Sequence, residues 1–238
     1  MELWKEVYLQ IIIILSNIIQ IIAGFGGNMI AIPLTINLFD FSDIKMVLNT
    51  FSNIGCIVLL FQTFREVNRK EFLKMTFGML AGMAIGWVIM AKVSLDFLLP
   101  VYAGFVMVVG ITKLFGKKET NLPKKYLNIV ILIAGIIHGM FLSGGCMLVI
   151  YAMSALKDKK EFRATLNAVW VVTGTLWMGY DFILGNYTEV NVIRSLVGIA
   201  TLAISIPVGN FLFKKLNQQK FLKLTYVLVI LAGVTMLL

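Results

Sequence analysis

The chain has one histidine, two cysteines and only 12 acidic residues among 238. A single imidazole, His138, leaves no His-based metal site or catalytic cluster to build. Cys56 and Cys146 each sit within an apolar stretch, so neither a structural disulfide nor a metal site is expected. No nucleotide-binding motif is present, so ATP is not the expected driver, and no cofactor is expected. Charge is scarce: 14% of residues are Asp, Glu, Lys or Arg, against about 25% in a soluble domain. Apolar residues fill the difference, at 59% of the chain with a mean hydropathy of +0.91. These values exclude a soluble domain and predict an all-α polytopic membrane protein with the lipid bilayer as its solvent. The 21 basic residues give a net charge of +9, but they fall in short loops, as the positive-inside rule requires. No basic face is left for nucleic acid. Lys5 stands between Glu2 and Glu6 and no small-residue cleavage site follows, so the N-terminus is expected to be retained.

What is present is a set of apolar segments, at residues 7–39, 46–64, 72–91, 97–115, 127–156, 164–183, 192–213 and 221–238. Six have the length of one spanning helix, which needs about 20 residues. The first and fifth are half as long again. Those two carry Gly24-Phe25-Gly26-Gly27-Asn28 and Ser143-Gly144-Gly145-Cys146 in their middles. Paired glycines weaken a helix by roughly 1 kcal/mol per residue relative to alanine. Within a membrane such a break is tolerated only where the freed backbone meets protein or a water-filled cavity.

The two halves repeat. The offset that carries Gly26-Gly27 onto Gly144-Gly145 also carries the run from Asp43 to Thr50 onto the run from Glu161 to Ala168, with acid, base, Leu and Asn in register. A slightly larger offset carries Gly86 onto Gly209 and Gly110 onto Gly233, the extra residues fitting in loop 184–190. The predicted organisation is a first repeat over 1–115, a cytoplasmic linker over 116–126 and a second repeat over 127–238. Placing the basic loops near 65–74, 113–125, 157–163 and 214–223 in the cytoplasm makes segment 127–156 enter and return on one side. Each arm of about 15 residues is roughly 22 Å of helix, enough to pass the middle of a 30 Å hydrocarbon core. The expected fold is therefore two inverted repeats, each a re-entrant or broken helical hairpin plus three transmembrane helices, with both termini outside. The alternative is that each long segment is one tilted helix that crosses once, which makes the repeats parallel.

Paired breaks in corresponding halves are the best sequence pointer to a transporter's binding site. A break exposes backbone N–H groups at the start of the returning arm, carrying about +0.5 of charge, and these suit an anion. Candidate substrate-binding residues are Gly26, Gly27, Asn28, Ser143, Gly144, Gly145 and Cys146 at the breaks. Asn28 and Ser143 can also cap the returning arms. Asn49 and Asn53 share a helix face with Lys45, and Asn167 shares one with Arg163. Oxyanion binding and helix-to-helix hydrogen bonding are both open for these asparagines. Lys45 and Arg163 are expected at opposite mouths, attracting anions or snorkelling to the interface. His138, matched by Gln20 in the first half, can carry a coupling proton or simply pack. Asp181, beside Trp177 and Tyr180, is expected at the outer end of its helix.

The stretches Ala23-Gly24-Phe25-Gly26-Gly27-Asn28-Met29-Ile30-Ala31-Ile32-Pro33-Leu34 and Gly135-Ile136-Ile137-His138-Gly139-Met140-Phe141-Leu142-Ser143-Gly144-Gly145, followed by Phe162-Arg163-Ala164-Thr165, resemble the sulfite exporter (TauE/SafE) family of membrane permeases. Asn28 and Cys146 stand where the family has a third glycine, and Tyr151 where the first half has Pro33. The resemblance implies a secondary transporter in the cytoplasmic membrane. Its cargo would be a small anion, sulfite, another sulfur oxyanion or an organosulfonate. An anion channel and a permease for another small solute stay open beside it. A membrane-embedded enzyme lacks the clustered His, Asp or Cys it would need. The sequence leaves the direction of movement, the coupling ion and the oligomeric state open.

Overall fold

The computed structural model describes residues 2–115, 124–156 and 158–215, with positions 227, 230 and 234 beyond them. The expected linker 116–126, except its last three residues, and the expected helix 221–238, except those three positions, lie outside the described residues. Within them every regular element is helical: α1 Leu3–Ala23, α2 Gly27–Thr35, α3 Phe41–Thr63, α4 Arg69–Lys92, α5 Leu95–Phe115, α6 Lys124–Phe141, α7 Gly145–Ala155, α8 Lys159–Ile183, α9 Glu189–Ala200 and α10 Leu202–Lys215. A short 3-10 turn, Phe64–Glu66, follows α3. Among the described residues four helices are long and apolar enough to cross a membrane, or five if α9 and α10 count as one bent span. Large apolar side chains such as Phe61, Phe77, Phe182 and Ile183 lie well exposed on the outer surface. That is where lipid would cover them. This is a multi-pass membrane protein.

Polar caps start the long helices earlier than the apolar pattern alone suggests. Asp40 accepts from Ser42 N and opens α3, so Asp43 and Lys45 belong to its first turns. Asn68 accepts from Glu71 N at the start of α4. Asp158 accepts from Glu161 N and Lys160 N at the start of α8, and those bonds hold its carboxyl below the usual carboxylate range. The helix expected over 192–213 is broken instead, with 42° between α9 and α10. Thr201 at the break bonds Gly198 O, and Ser205 Oγ bonds Thr201 O. Such side-chain back-bonding competes with the helical ladder and bends it.

Both overlong segments fold back on themselves. α1 stops at Gly24, which is left-handed (φ +79°), and α2 returns along it until Tyr8 Oη donates to Leu34 O at 2.9 Å. In the second half α7 returns along α6, so Leu127 and Leu156, near the two outer ends, share one buried apolar cluster. Leu142 takes the left-handed conformation (φ 54°) at the position that matches Gly24. A leucine there is strained, as residues at ligand clamps often are.

Glycines set the helix contacts. α4 and α6 pack closely, where Gly78, Gly82 and Gly86 meet Ile131, Gly135 and Gly139. A Cβ on Gly82 would lie 2.2 Å from Leu132 O, and one on Gly135 would lie 2.4 Å from Met79 O. Small residues at such a seam let backbones approach and gain dispersion contact. On the other flank α10 packs on α1, with Gly209 against Ile21. The central pair is α3 with α8. α8 is 25 residues long but too polar to count among the candidate spans, and its polar Thr165, Asn167 and Thr173 are buried within the protein.

Candidate functional site

The two breaks meet. A Cβ built on Gly145 would lie 3.1 Å from Phe25 Cβ and 3.7 Å from Gly26 N. Two tryptophans of α8 hold the backbone around them. Trp170 Nε1 donates to Gly24 O at 2.8 Å, and Trp177 Nε1 donates to His138 O at 3.1 Å. Each indole bonds a carbonyl near the end of an outgoing arm, and His138 O accepts from Leu142 N as well.

Between the breaks and the α3–α8 pair lies a cavity of about 30 Å³, room for one or two bodies the size of water. The structure brings Gly26, Asn28, Asn49, Asn53, Ser143, Gly145 and His138 together on its wall, all of them expected from the sequence. Asn49 Nδ2 donates to Gly174 O at 3.0 Å, which ties α3 to α8. Asn53 Nδ2 donates to Thr175 Oγ1 and reaches Met178 Sδ, leaving Oδ1 with no hydrogen-bond partner among the described residues. Thr175 gives its own proton to Val171 O, so the amide orientation of Asn53 is fixed by that bond. His138 is buried beside Trp170, with ring centres 5.3 Å apart, and neither ring nitrogen has a partner among the described residues. It is therefore not a hydrogen-bonded packing histidine.

Several candidates stand elsewhere. Gly27 packs against its own outgoing arm, where a Cβ would lie 2.8 Å from Ser16 O. Gly144 is tighter still, 2.0 Å from Ala134 O by the same construction. The glycines that match by sequence thus differ in role: Gly27 and Gly144 close the hairpins, while Gly26 and Gly145 face the cavity. Asn28 does not cap its returning arm, because it lies inside α2. Gly27 N is bonded instead by Gln20 Oε1 at 3.0 Å, and Ser143 Oγ donates to Phe141 O at 2.8 Å. Asn167 is fully buried, off the cavity wall, with no partner for either amide atom among the described residues. The side chain of Cys146 lies outside the described residues.

Neither basic candidate is an open cation at a mouth. Lys45 is 2% exposed, lies 3.7 Å from Asp181 Oδ1 and sits 4.1 Å above the Trp177 ring. Arg163 donates to Ile21 O and Asn210 Oδ1 and stacks on Phe213. Asp181 stands two residues before the end of α8, fully buried within the protein, where it accepts from Asn186 Nδ2. Asn191 joins Asn186 O to Asp43 close by, and Arg194 pairs with Glu6 at 2.6 Å. An ionisable residue inside an apolar helix is the signal that would have found the Lys45–Asp181 pair. Gln20, Met29, Ser52, Cys56, Leu142, Trp170 and Gly174 also line the cavity, and of these Ser52, Met29, Leu142 and Trp170 carry no sequence signal for a site. The repeat itself points to Gln20, since it matches His138.

The wall can surround a small solute with side-chain amides, a hydroxyl-bearing serine and the amide ends of α2 and α7. It holds no group of three or more His, Cys, Asp or Glu among the described residues that could bind a metal. No curated protein and no solved structure matches the chain. A family model, Sulfite exporter TauE/SafE, matches residues 9–236, nearly the whole sequence, so the chain belongs to the TauE/SafE sulfite exporter family.

Proposed function

We propose that this protein is a secondary carrier for a small anion, a sulfur oxyanion such as sulfite or an organosulfonate, moved by alternating access between two inverted repeats. The observation that carries the reading is the meeting of both broken hairpins at one cavity lined by asparagines, serines and a histidine. Paired half-helix N-termini at such a point suit an anion, and family membership points to sulfur anions.

Reciprocal contacts support the repeat. Gly86 packs on Gly139, and the matching Gly209 packs on Ile21, which matches Gly139. The pairing of α4 with α6 is thus answered by that of α10 with α1. The hairpins also open toward different ends of the bundle. At the α1–α2 end stand Glu6, Asp43, Asp181 and Arg194. At the α6–α7 end Tyr151 donates to Glu71, and Asn68 bonds Glu161 beside the basic starts of α4 and α8. We assign that basic end to the cytoplasm and the mixed, more acidic end to the outside.

The test is uptake of labelled sulfite, sulfate, thiosulfate and sulfonates into proteoliposomes holding the purified protein, with and without a pH gradient. Saturable uptake of at least one anion, competed by the others, is expected. Anion flux that does not saturate and shows no counterflow would favour a channel. Uptake of a neutral solute with no anion flux would overturn the reading.

A further inference from the structure

We propose that the cavity selects a singly charged oxyanion over a doubly charged one, so that sulfite is bound as hydrogen sulfite. This inference rests on the anion-carrier reading and names the charge state of its cargo. Among the described residues no Lys, Arg, Asp or Glu lines the cavity. The basic groups of α3 and α8 that share a face with the wall asparagines or Asn167 are committed: Lys45 to Asp181, and Arg163 to Ile21 O and Asn210. The remaining positive potential comes from the N-termini of α2 and α7, each worth about +0.5 and together about one unit. Gly27 N at the first of these is already bonded to Gln20 Oε1, which trims that potential further. One unit balances a monoanion and leaves a dianion with a net buried negative charge.

The cost of taking an ion out of water grows with the square of its charge, so a dianion costs about four times as much to enclose as a monoanion of the same size. The hydrogen-bonding inventory agrees. Asn53 Oδ1 is an acceptor with no partner among the described residues, on a residue 3% exposed, and a bare dianion has no proton to give it. A neutral His138 likewise presents one acceptor and one donor, both without a partner among the described residues. An oxyanion that keeps one proton can donate to such an acceptor and accept from the amide ends. Among the described residues the titratable side chains on the wall are His138 from α6 and Cys56 from α3.

Binding is measured by titration calorimetry on the full chain in lipid nanodiscs, across the pH range in which sulfite loses its second proton. Chlorate is the control, because it is a pyramidal trioxo anion like sulfite with a fixed single charge. Sulfate supplies a fixed double charge. Chlorate is expected to bind with an affinity that does not change with pH. Sulfite should weaken about tenfold per pH unit above its second ionisation, as its competent fraction falls. Sulfate should bind at least tenfold more weakly than chlorate. Sulfite that binds as well or better as a dianion, or sulfate that matches chlorate, would overturn the inference. So would chlorate affinity that rises at low pH in the wild type but not in His138→Gln, since the wall would then carry its own positive charge. Absence of binding by all three anions, with transport of a neutral solute, would instead remove the anion-carrier reading beneath it.

Discussion

Asp181→Asn is the substitution whose cost follows most directly from the structure. Lys45 Nζ and Asp181 Oδ1 are 3.7 Å apart, with the two residues 2% and 0% exposed. Removing one partner of a buried pair leaves an uncompensated charge and costs about 3–5 kcal/mol, more than a hundredfold in the folding equilibrium. Asparagine keeps an acceptor for Asn186 Nδ2, so the loss isolates the charge. Lys45→Met keeps the apolar stem over Trp177 and should cost a similar amount, because it strands Asp181. The double variant Lys45→Met/Asp181→Asn removes both charges and should recover about 2–3 kcal/mol relative to the sum of the singles. The assay is equilibrium unfolding in mixed micelles, followed by tryptophan fluorescence. Single effects that add within about 0.5 kcal/mol would refute the pair as a unit. The pair joins α3 to α8, as does the bond from Asn49 to Gly174 O, so its loss should loosen the same seam that walls the cavity.

Three further outcomes are expected. Gly82→Ala and Gly135→Ala should each destabilise the protein by more than the usual 1–3 kcal/mol of overpacking, since each new Cβ meets backbone rather than a side chain, and melting temperature reads this. Trp170→Phe removes the donor to Gly24 O and should cost about 1–3 kcal/mol, checked by the same unfolding assay, with no loss at all counting against a structural role for that bond. Topology reporters fused after Asp43 and after Lys159 should report opposite sides of the membrane, outside and inside; the same side for both would leave parallel repeats.

Much of this architecture was legible before any coordinates. Two overlong apolar segments with glycines in their middles marked the folding back of α1 on α2 and α6 on α7, because a spanning helix has no reason to carry such a break. The offset from Gly26 to Gly144 also put most of the cavity wall within reach. Three things were not legible. Which glycine of each pair faces the cavity depends on the rotation of the returning arm, so the matched Gly27 and Gly145 part company. The pairing of Lys45 with Asp181 joins residues far apart in sequence, and hydropathy cannot distinguish a charge at a membrane surface from one buried against another helix. The break at Thr201 lies between Gly198 and Pro207, whose missing N–H removes the helical bond to Ala203 O, and the back-bonding of Thr201 and Ser205 adds to the bend in a way that a segment pattern does not register.

Counterflow of labelled sulfite in proteoliposomes, comparing Gly145→Ala with Gly179→Ala, tests most directly whether the meeting point of the breaks is the transport site. A Cβ on Gly145 lies 3.1 Å from Phe25 Cβ and stands at a cavity of about 30 Å³, so one methyl group takes much of the available room. A Cβ on Gly179 meets nothing within 4 Å. Both variants place alanine in a helix, which favours it over glycine, so both should fold. The account predicts at least a tenfold loss of sulfite counterflow in Gly145→Ala and wild-type counterflow in Gly179→Ala. Wild-type counterflow in Gly145→Ala would contradict it and place the transport path away from the breaks.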